Sequence, residues 1–260
     1  MKILAIGDVI GKPGRQAVKR LLPALRQDLK PALVIANGEN AAGGIGLTMS
    51  AAQELLDSGT DVITTGNHVW DQREIIPYLD SDEPIIRPIN YPPGVPGRGF
   101  IIKNKIMVVN AIGRTFIGAF DCPFRGMDHL LAEMRINPPV IIVDFHAEAS
   151  SEKVALGRYL DGRVSAVLGT HTHVGTVDAR VLPGGTAHIT DIGMCGPFES
   201  IIGDDCEAVL HRFLTLMPHR LSVGKGNVIF NSVLVDVNEN TGKAISIERI
   251  DREVSSDGQD

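Results

Sequence analysis

Apolar residues recur along the chain with two periods. Compact runs at Ile3–Ile6, Ala32–Ala36, Asp61–Thr65, Val140–Phe145 and Val164–Leu168 predict buried strands. Between the first two, Val18, Leu21, Leu22, Leu25 and Leu29 recur at helical spacing, with Pro23 placed to kink the helix. Further helices are predicted over about Met49–Ser58, where Ser50 and Gln53 are spaced like a capping box, and up to about Leu79 after Asp71. Others are predicted over Asp128–Ile136, Ser150–Leu160 and Cys206–Leu216. Phe100–Lys103 and Ile106–Ala111 predict a hairpin turning at Asn104, and Asp178–Leu182 and Ala187–Thr190 predict strands around Pro183-Gly184-Gly185. Asn227–Val237 alternates like a strand, breaks near Asn231, and pairs with Ala244–Ile250. Pro84–Gly99 reads as an irregular connection, and the glycine-rich Asp191–Gly203 as a loop able to close over a site.

Strands and helices alternate early and strands dominate late. That order predicts an α/β protein built of two packed sheets flanked by helices. At 260 residues the chain is expected to form one domain over residues 1–252, with a disordered tail over 253–260. A formal net charge of −6 argues against an extended nucleic-acid surface, though a small nucleotide in a locally positive pocket remains compatible. Cys122, Cys195 and Cys206 are odd in number and not closely paired, which points to a reducing compartment. The opening apolar run meets Asp8 too soon for a signal peptide, and no run is long enough to span a bilayer. A cytoplasmic protein with no membrane partner is the expectation.

Chemistry collects where the predicted strands end. Gly7-Asp8 closes the first, and Asn37-Gly38-Glu39-Asn40 closes the second, ahead of a glycine-rich loop. Gly66-Asn67-His68 closes the third, His146 ends Val140–Phe145, and Gly169-Thr170-His171-Thr172-His173 follows Val164–Leu168. Each alone has a plain structural reading: Asp8 as a turn or cap aspartate, the glycine loop as surface, one histidine of the pair as a turn cap. Together they place carboxylates, amides and imidazoles beyond the carboxyl ends of strands, where ligands gather in such folds. A mixed nitrogen and oxygen set without thiolate suits Fe, Mn or Zn. There are donors for two ions, and a carboxylate such as Glu39 can bridge them. Such a pair clamps a phosphorus centre for in-line displacement. His129, His188, His211 and His219 lie in less suggestive contexts and are assigned structural or surface roles.

The order of these pieces resembles the calcineurin-like metallophosphoesterases, whose pattern is Asp-x-His, Gly-Asp, Gly-Asn-His, His and Gly-His-x-His. Ile10 stands where the first histidine would be, and Glu39-Asn40 replaces the usual aspartate. Both departures are similar to the bacterial YmdB-like family, and the resemblance runs from Met1 to about Arg252, including Asp191-Ile192-Gly193-Met194. It implies a four-layer α/β/β/α sandwich and a di-iron 2′,3′-cyclic-nucleotide 2′-phosphodiesterase, active also on other small phosphodiesters. It further implies one metal on Asp8, Glu39, Asn40 and His173, and a second on Glu39, Asn67, His146 and His171. A metal-bridging hydroxide would attack and His68 would donate a proton to the leaving oxygen. Relatives of this type often assemble, so a homo-oligomer is expected. Two other classes remain open: a regulatory, RNA-process binding protein on the same fold, and a phosphomonoesterase.

Overall fold

The computed structural model describes residues 1–134 and 139–255. In chain order the first half contains β1 (Lys2–Val9), α1 (Gly11–Leu29), β2 (Leu33–Asn37), α2 (Met49–Asp57), β3 (Val62–Thr64), α3 (Ile76–Leu79), β4 (Ile85–Ile86), β5 (Phe100–Lys103), β6 (Ile106–Ile112) and α4 (Pro123–Glu133). The second half contains β7 (Val140–His146), α5 (Ser150–Tyr159), β8 (Ala166–Thr170), β9 (Arg180–Val181), β10 (Ala187–Ile189), β11 (Met194–Pro197) and α6 (Cys206–Thr215). It closes with β12 (Val228–Phe230), β13 (Ser232–Val237), β14 (Ala244–Arg249) and β15 (Arg252–Val254). One sheet has the order β15-β12-β11-β1-β2-β3-β4, with β13 and then β14 added alongside β1; the other has the order β5-β6-β7-β8-β10-β9. Both mix parallel and antiparallel pairs.

Strand alternation produces the layers. Leu4, Ile6, Val34 and Ile63 pack outward on Val18 and Leu22 of α1 and Leu55 of α2. Their neighbours Ile3, Ala5, Ile35 and Val62 pack inward against Val108, Ile142 and Leu168 of the other sheet. That second sheet turns Met107, Val143 and Phe145 onto Met127 of α4 and Leu156 of α5. The result is helix, sheet, sheet, helix, with three apolar seams.

Several local expectations change. Thr48, not Ser50, caps α2: its side chain accepts from the Ala51 amide at 3.2 Å. Between Asn67 and Leu79 only a 3₁₀ turn at Arg73–Ile75 and the short α3 are helical. α1 runs through Pro23 without interruption. Asp191–Gly203 is not a free loop: its Met194–Pro197 segment is a buried strand lying parallel to the end of β1. β15 carries the ordered chain through Val254, past the predicted start of the tail at Glu253. Ile136, the predicted end of the fourth helix, and residues 256–260 of the predicted tail lie outside the described residues. The break at Asn231 and the turn at Asn104 fall where the pattern put them, the latter with left-handed Asn104 and Lys105.

Candidate metal centre

The seam between the two sheets is apolar for most of its length and turns polar at one end. On four strands the inward row passes from Ile35 to Asn37, Val62 to Thr64, Ile142 to Asp144 and His146, and Leu168 to Thr170. β1 joins them by a bulge. Ile6 pairs with Ala36 and Asp8 with Asn37, so β1 spends two residues where β2 spends one. Strict alternation would aim Asp8 with Leu4 and Ile6 at the helices; the extra residue at Gly7 turns it into the seam. Only glycine fits at position 7, because a Cβ there would stand 1.9 Å from the Gly193 carbonyl oxygen.

All eight residues expected at the site are brought to this end. His146 Nε2 lies 2.9 Å from Glu39 Oε1, 3.1 Å from Asn67 Oδ1 and 3.0 Å from His171 Nδ1. His173 Nε2 lies 3.0 Å from the Asn40 side-chain amide, which is itself 3.4 Å from Glu39 Oε1. Asp8 Oδ1 is 3.9 Å from both His146 Nδ1 and His173 Nε2. Donor atoms of Glu39, His146 and His171 all lie within 4.8 Å of one another. His68 stands outside this cluster: its backbone amide donates to Glu39 Oε2 at 3.2 Å, and its ring Nδ1 is 2.6 Å from Asp71 Oδ2.

Each of the three clustered imidazoles is held by the nitrogen that faces away. Thr170 Oγ1 donates its one proton to Asp144 at 2.7 Å and therefore accepts from His146 Nδ1 at 3.0 Å. The Ile202 carbonyl accepts from His173 Nδ1 at 2.6 Å, and Glu148 accepts from His171 Nε2 at 3.1 Å. The lone pairs of His146 Nε2, His171 Nδ1 and His173 Nε2 are thereby turned to one region. Left-handed backbone at His171 (φ 100°) and His173 (φ 65°) makes this convergence possible for residues one apart. Asp191 pins the residue between them, accepting from Thr172 N at 3.2 Å and Thr172 Oγ1 at 2.8 Å. The fully buried Lys153 supplies the counter-charge to Asp191.

Gly66 completes the cradle. A Cβ there would lie 2.2 Å from Glu39 Oε2 and 2.4 Å from His146 Nε2. The Tyr91 hydroxyl donates to the Gly66 carbonyl at 3.2 Å, and Trp70 packs edge-on against Tyr91 with ring centroids 5.6 Å apart. Trp70 is thus packing beneath the site.

Electrostatics show a site short of positive charge. Asp8 and Glu39 are both buried, and burial pushes Asp8 up to about 6 against the pull of His173 and His146. Burial acts to raise Glu39 as well, but the charge and hydrogen bond of His146 outweigh it and hold it at about 2. Burial acts to lower His146, and Glu39, Asp8 and Asp144 outweigh that, raising it to about 9. Burial, and then the charge of His146, holds His171 at about 3. Without an ion, His146 serves as counter-charge only by taking a second proton on Nε2, the nitrogen whose lone pair would otherwise face the cluster. Asp8 Oδ1 still has no hydrogen-bond partner among the described residues. A buried carboxylate oxygen without a partner is costly unless a cation meets it. The donor set, the orphaned oxygen and the Gly66 cradle all fit metal binding.

Sequence reasoning missed the supporting residues. Asp144 carried a signal, being one charge within an apolar strand. Asn37, Asp71, Glu148 and Lys153 carried none apart from position, and Asp191 was noted only within a motif.

A four-layer sandwich with such a donor cluster at the strand ends defines a metallophosphoesterase. The sequence model of the YmdB-like protein family matches residues 4–250, and the chain belongs to that family. It is 50% identical over 254 residues to a 2′,3′-cyclic-nucleotide 2′-phosphodiesterase of Bacillus subtilis (strain 168), with 96% of each chain covered. A crystal structure of a hypothetical protein from Thermus thermophilus superposes with a TM-score of 0.92 at 45% identity, covering 97% of this chain and 99% of that one. A phosphatase from Mycoplasma pneumoniae superposes with a TM-score of 0.92 at 34% identity, covering 98% and 94%.

Proposed function

We propose that the protein hydrolyses 2′,3′-cyclic nucleotides to 3′-nucleotides at a site holding two metal ions, iron by first choice and manganese or zinc otherwise. The observation that carries this reading is the convergence of two donor sets on Glu39, beside an Asp8 oxygen that lacks any hydrogen-bond partner among the described residues. The name of the half-identical Bacillus subtilis relative supports the substrate. One ion would sit on Asp8, Glu39, Asn40 and His173, the other on Glu39, Asn67, His146 and His171. When bound, such ions supply Lewis acidity toward phosphoryl oxygens and lower the pKa of an attacking water.

The chain's own residues do the rest. Thr170, Glu148 and the Ile202 carbonyl fix the imidazole tautomers, so no donor must reorient as substrate arrives. His68 lines the cleft beside the cluster. A carboxylate can only accept, so Nδ1–H donates to Asp71 and Nε2 is the nitrogen left to face substrate. Water adds to phosphorus and leaves one of its protons with the product phosphate, the P–O2′ bond breaks, and His68, acting as the imidazolium, gives its Nε2 proton to the 2′ oxygen. The 3′-phosphate remains.

Product analysis on 2′,3′-cyclic AMP with metal-loaded protein tests the reading. Accumulation of 3′-AMP is expected; 2′-AMP, or no product with both ions bound, would overturn it. No helix among the described residues is long and apolar enough to cross a membrane. Free Cys122, Cys195 and Cys206 support a reducing, cytoplasmic setting. The expected homo-oligomer is supported by the exposed apolar run of Phe213, Leu214, Leu216 and Met217. Light scattering that returned a monomer mass would refute it.

A further inference from the structure

The cleft that contains the donor cluster encloses about 540 Å³ and extends beyond it to Ile45, Ile202, Leu221 and Arg212. Arg212 is the one arginine among its lining residues, which include no lysine. It comes from α6, at a distance along the chain from every expected ligand. Its Nε donates to the His219 carbonyl at 2.7 Å, which orients the guanidinium. No described residue accepts from its two terminal NH₂ groups. Asp204, which also lines this cleft, is within electrostatic reach of both His173 and Arg212.

A nucleoside 2′,3′-cyclic phosphate has one phosphate, and the donor cluster accounts for it. An exposed guanidinium oriented through Nε, with both NH₂ groups free, suits a second anion, gripped bidentately. On a nucleoside whose 2′ and 3′ oxygens are engaged, the oxygen left to carry a phosphate is the 5′ one. We propose that the preferred substrate carries a phosphate ester at its 5′ oxygen as well as the terminal 2′,3′-cyclic phosphate, with Arg212 gripping that 5′-phosphate. The cyclic-ended oligoribonucleotide and the 5′-phosphorylated mononucleotide share this chemistry. The inference rests on the cyclic-nucleotide reading above. A net charge of −6 and a single lining arginine confine recognition to one extra phosphate.

The test compares kcat/KM for adenosine 2′,3′-cyclic phosphate, its 5′-phosphorylated form, and the dinucleotide ApA ending in a 2′,3′-cyclic phosphate. Metal-loaded wild type, Arg212→Gln and Arg212→Lys are assayed. A charged hydrogen-bonded contact predicts that wild type favours a 5′-phosphate ester by about 10-fold or more, chiefly through KM. That preference should collapse in Arg212→Gln and survive in part in Arg212→Lys, which keeps the charge. Preference for the dinucleotide over the 5′-monophosphate would name the oligoribonucleotide as the source, and the reverse the mononucleotide. Equal wild-type values on all three would overturn the proposal. So would an equal fall on all three in Arg212→Gln, because Arg212 would then serve the scissile phosphate. If wild type turns over none of them with both ions bound, the cyclic-nucleotide reading itself fails and takes the proposal with it.

Discussion

His68 and Glu39 touch through a backbone amide, yet their expected roles separate cleanly. His68→Ala should leave the metal content unchanged and lower kcat by about 10²–10⁴-fold, the usual worth of a positioned general acid. Glu39→Ala should strip both ions, since its carboxylate faces both donor sets. Elemental analysis beside turnover reads both; a metal-depleted His68→Ala would remove His68 from the proton-donor role. A different histidine contributes to acid sensitivity. His188 is buried in β10, where a Cβ on Gly157 would stand 2.6 Å from its Nδ1, and its Nε2 has no partner among the described residues. Burial holds it below its ordinary value, against the opposing pull of Asp178 and the Val167 carbonyl. The unfolded chain therefore takes up this proton first as pH falls, from about 6.5 downward. His188 contributes its full stability above that value and loses it as pH drops through the folded value. Urea unfolding at pH 7 and pH 5 should show wild type losing more than His188→Gln; the metal site acts equally on both, so equal losses would contradict the assignment.

Among elements, α5 and β11 do work that the pattern of the chain hides. Lys153 of α5 looks like a solvated helix position, but it reaches Asp191, which holds Thr172 between the two histidines. Lys153→Met or Asp191→Asn alone leaves a buried charge unpaired and should cost about 3–5 kcal/mol. The double variant should be less destabilised than the two losses added, by about 1 kcal/mol or more. Strict additivity in denaturant melts would mean that the pair is not coupled. The recurrence of an apolar run followed by Asp8, Glu39, Asn67 or His146 was legible from short-range pattern, although β1 and β7 run on to include Asp8 and His146. The bulge at Gly7 was not, because it depends on a carbonyl of Gly193, far along the chain. Nor was β11: glycines in Asp191–Gly203 signalled a loop, whereas they let β11 fill the parallel place beside Asp8. Gly193 there adopts φ 96°, a conformation open to glycine and unfavourable for most side chains.

On the scale of the molecule, the proposed metal centre trades stability for binding. Asp8 and Glu39 are both buried and within electrostatic reach of one another, with Asp8 Oδ1 unsatisfied by any described residue. Without ions this arrangement works against the fold; with ions it couples binding to folding. An ion at about 100 times its Kd adds about 2.7 kcal/mol per site. For a chain of this size each kcal/mol moves Tm by about 2–4 °C. Chelation should therefore lower the Tm of the loaded wild type by about 5 °C or more, and metal should restore it. Asp8→Asn sharpens the test, because the amide keeps the shape and removes the buried charge. Chelated Asp8→Asn should melt above chelated wild type, while in excess metal the order reverses as the variant loses a donor. Crossing of the two Tm values on metal addition is the expected signature. If Asp8→Asn melted lower under both conditions, the Asp8 carboxylate would be a structural partner of the seam instead of a group kept there for an ion.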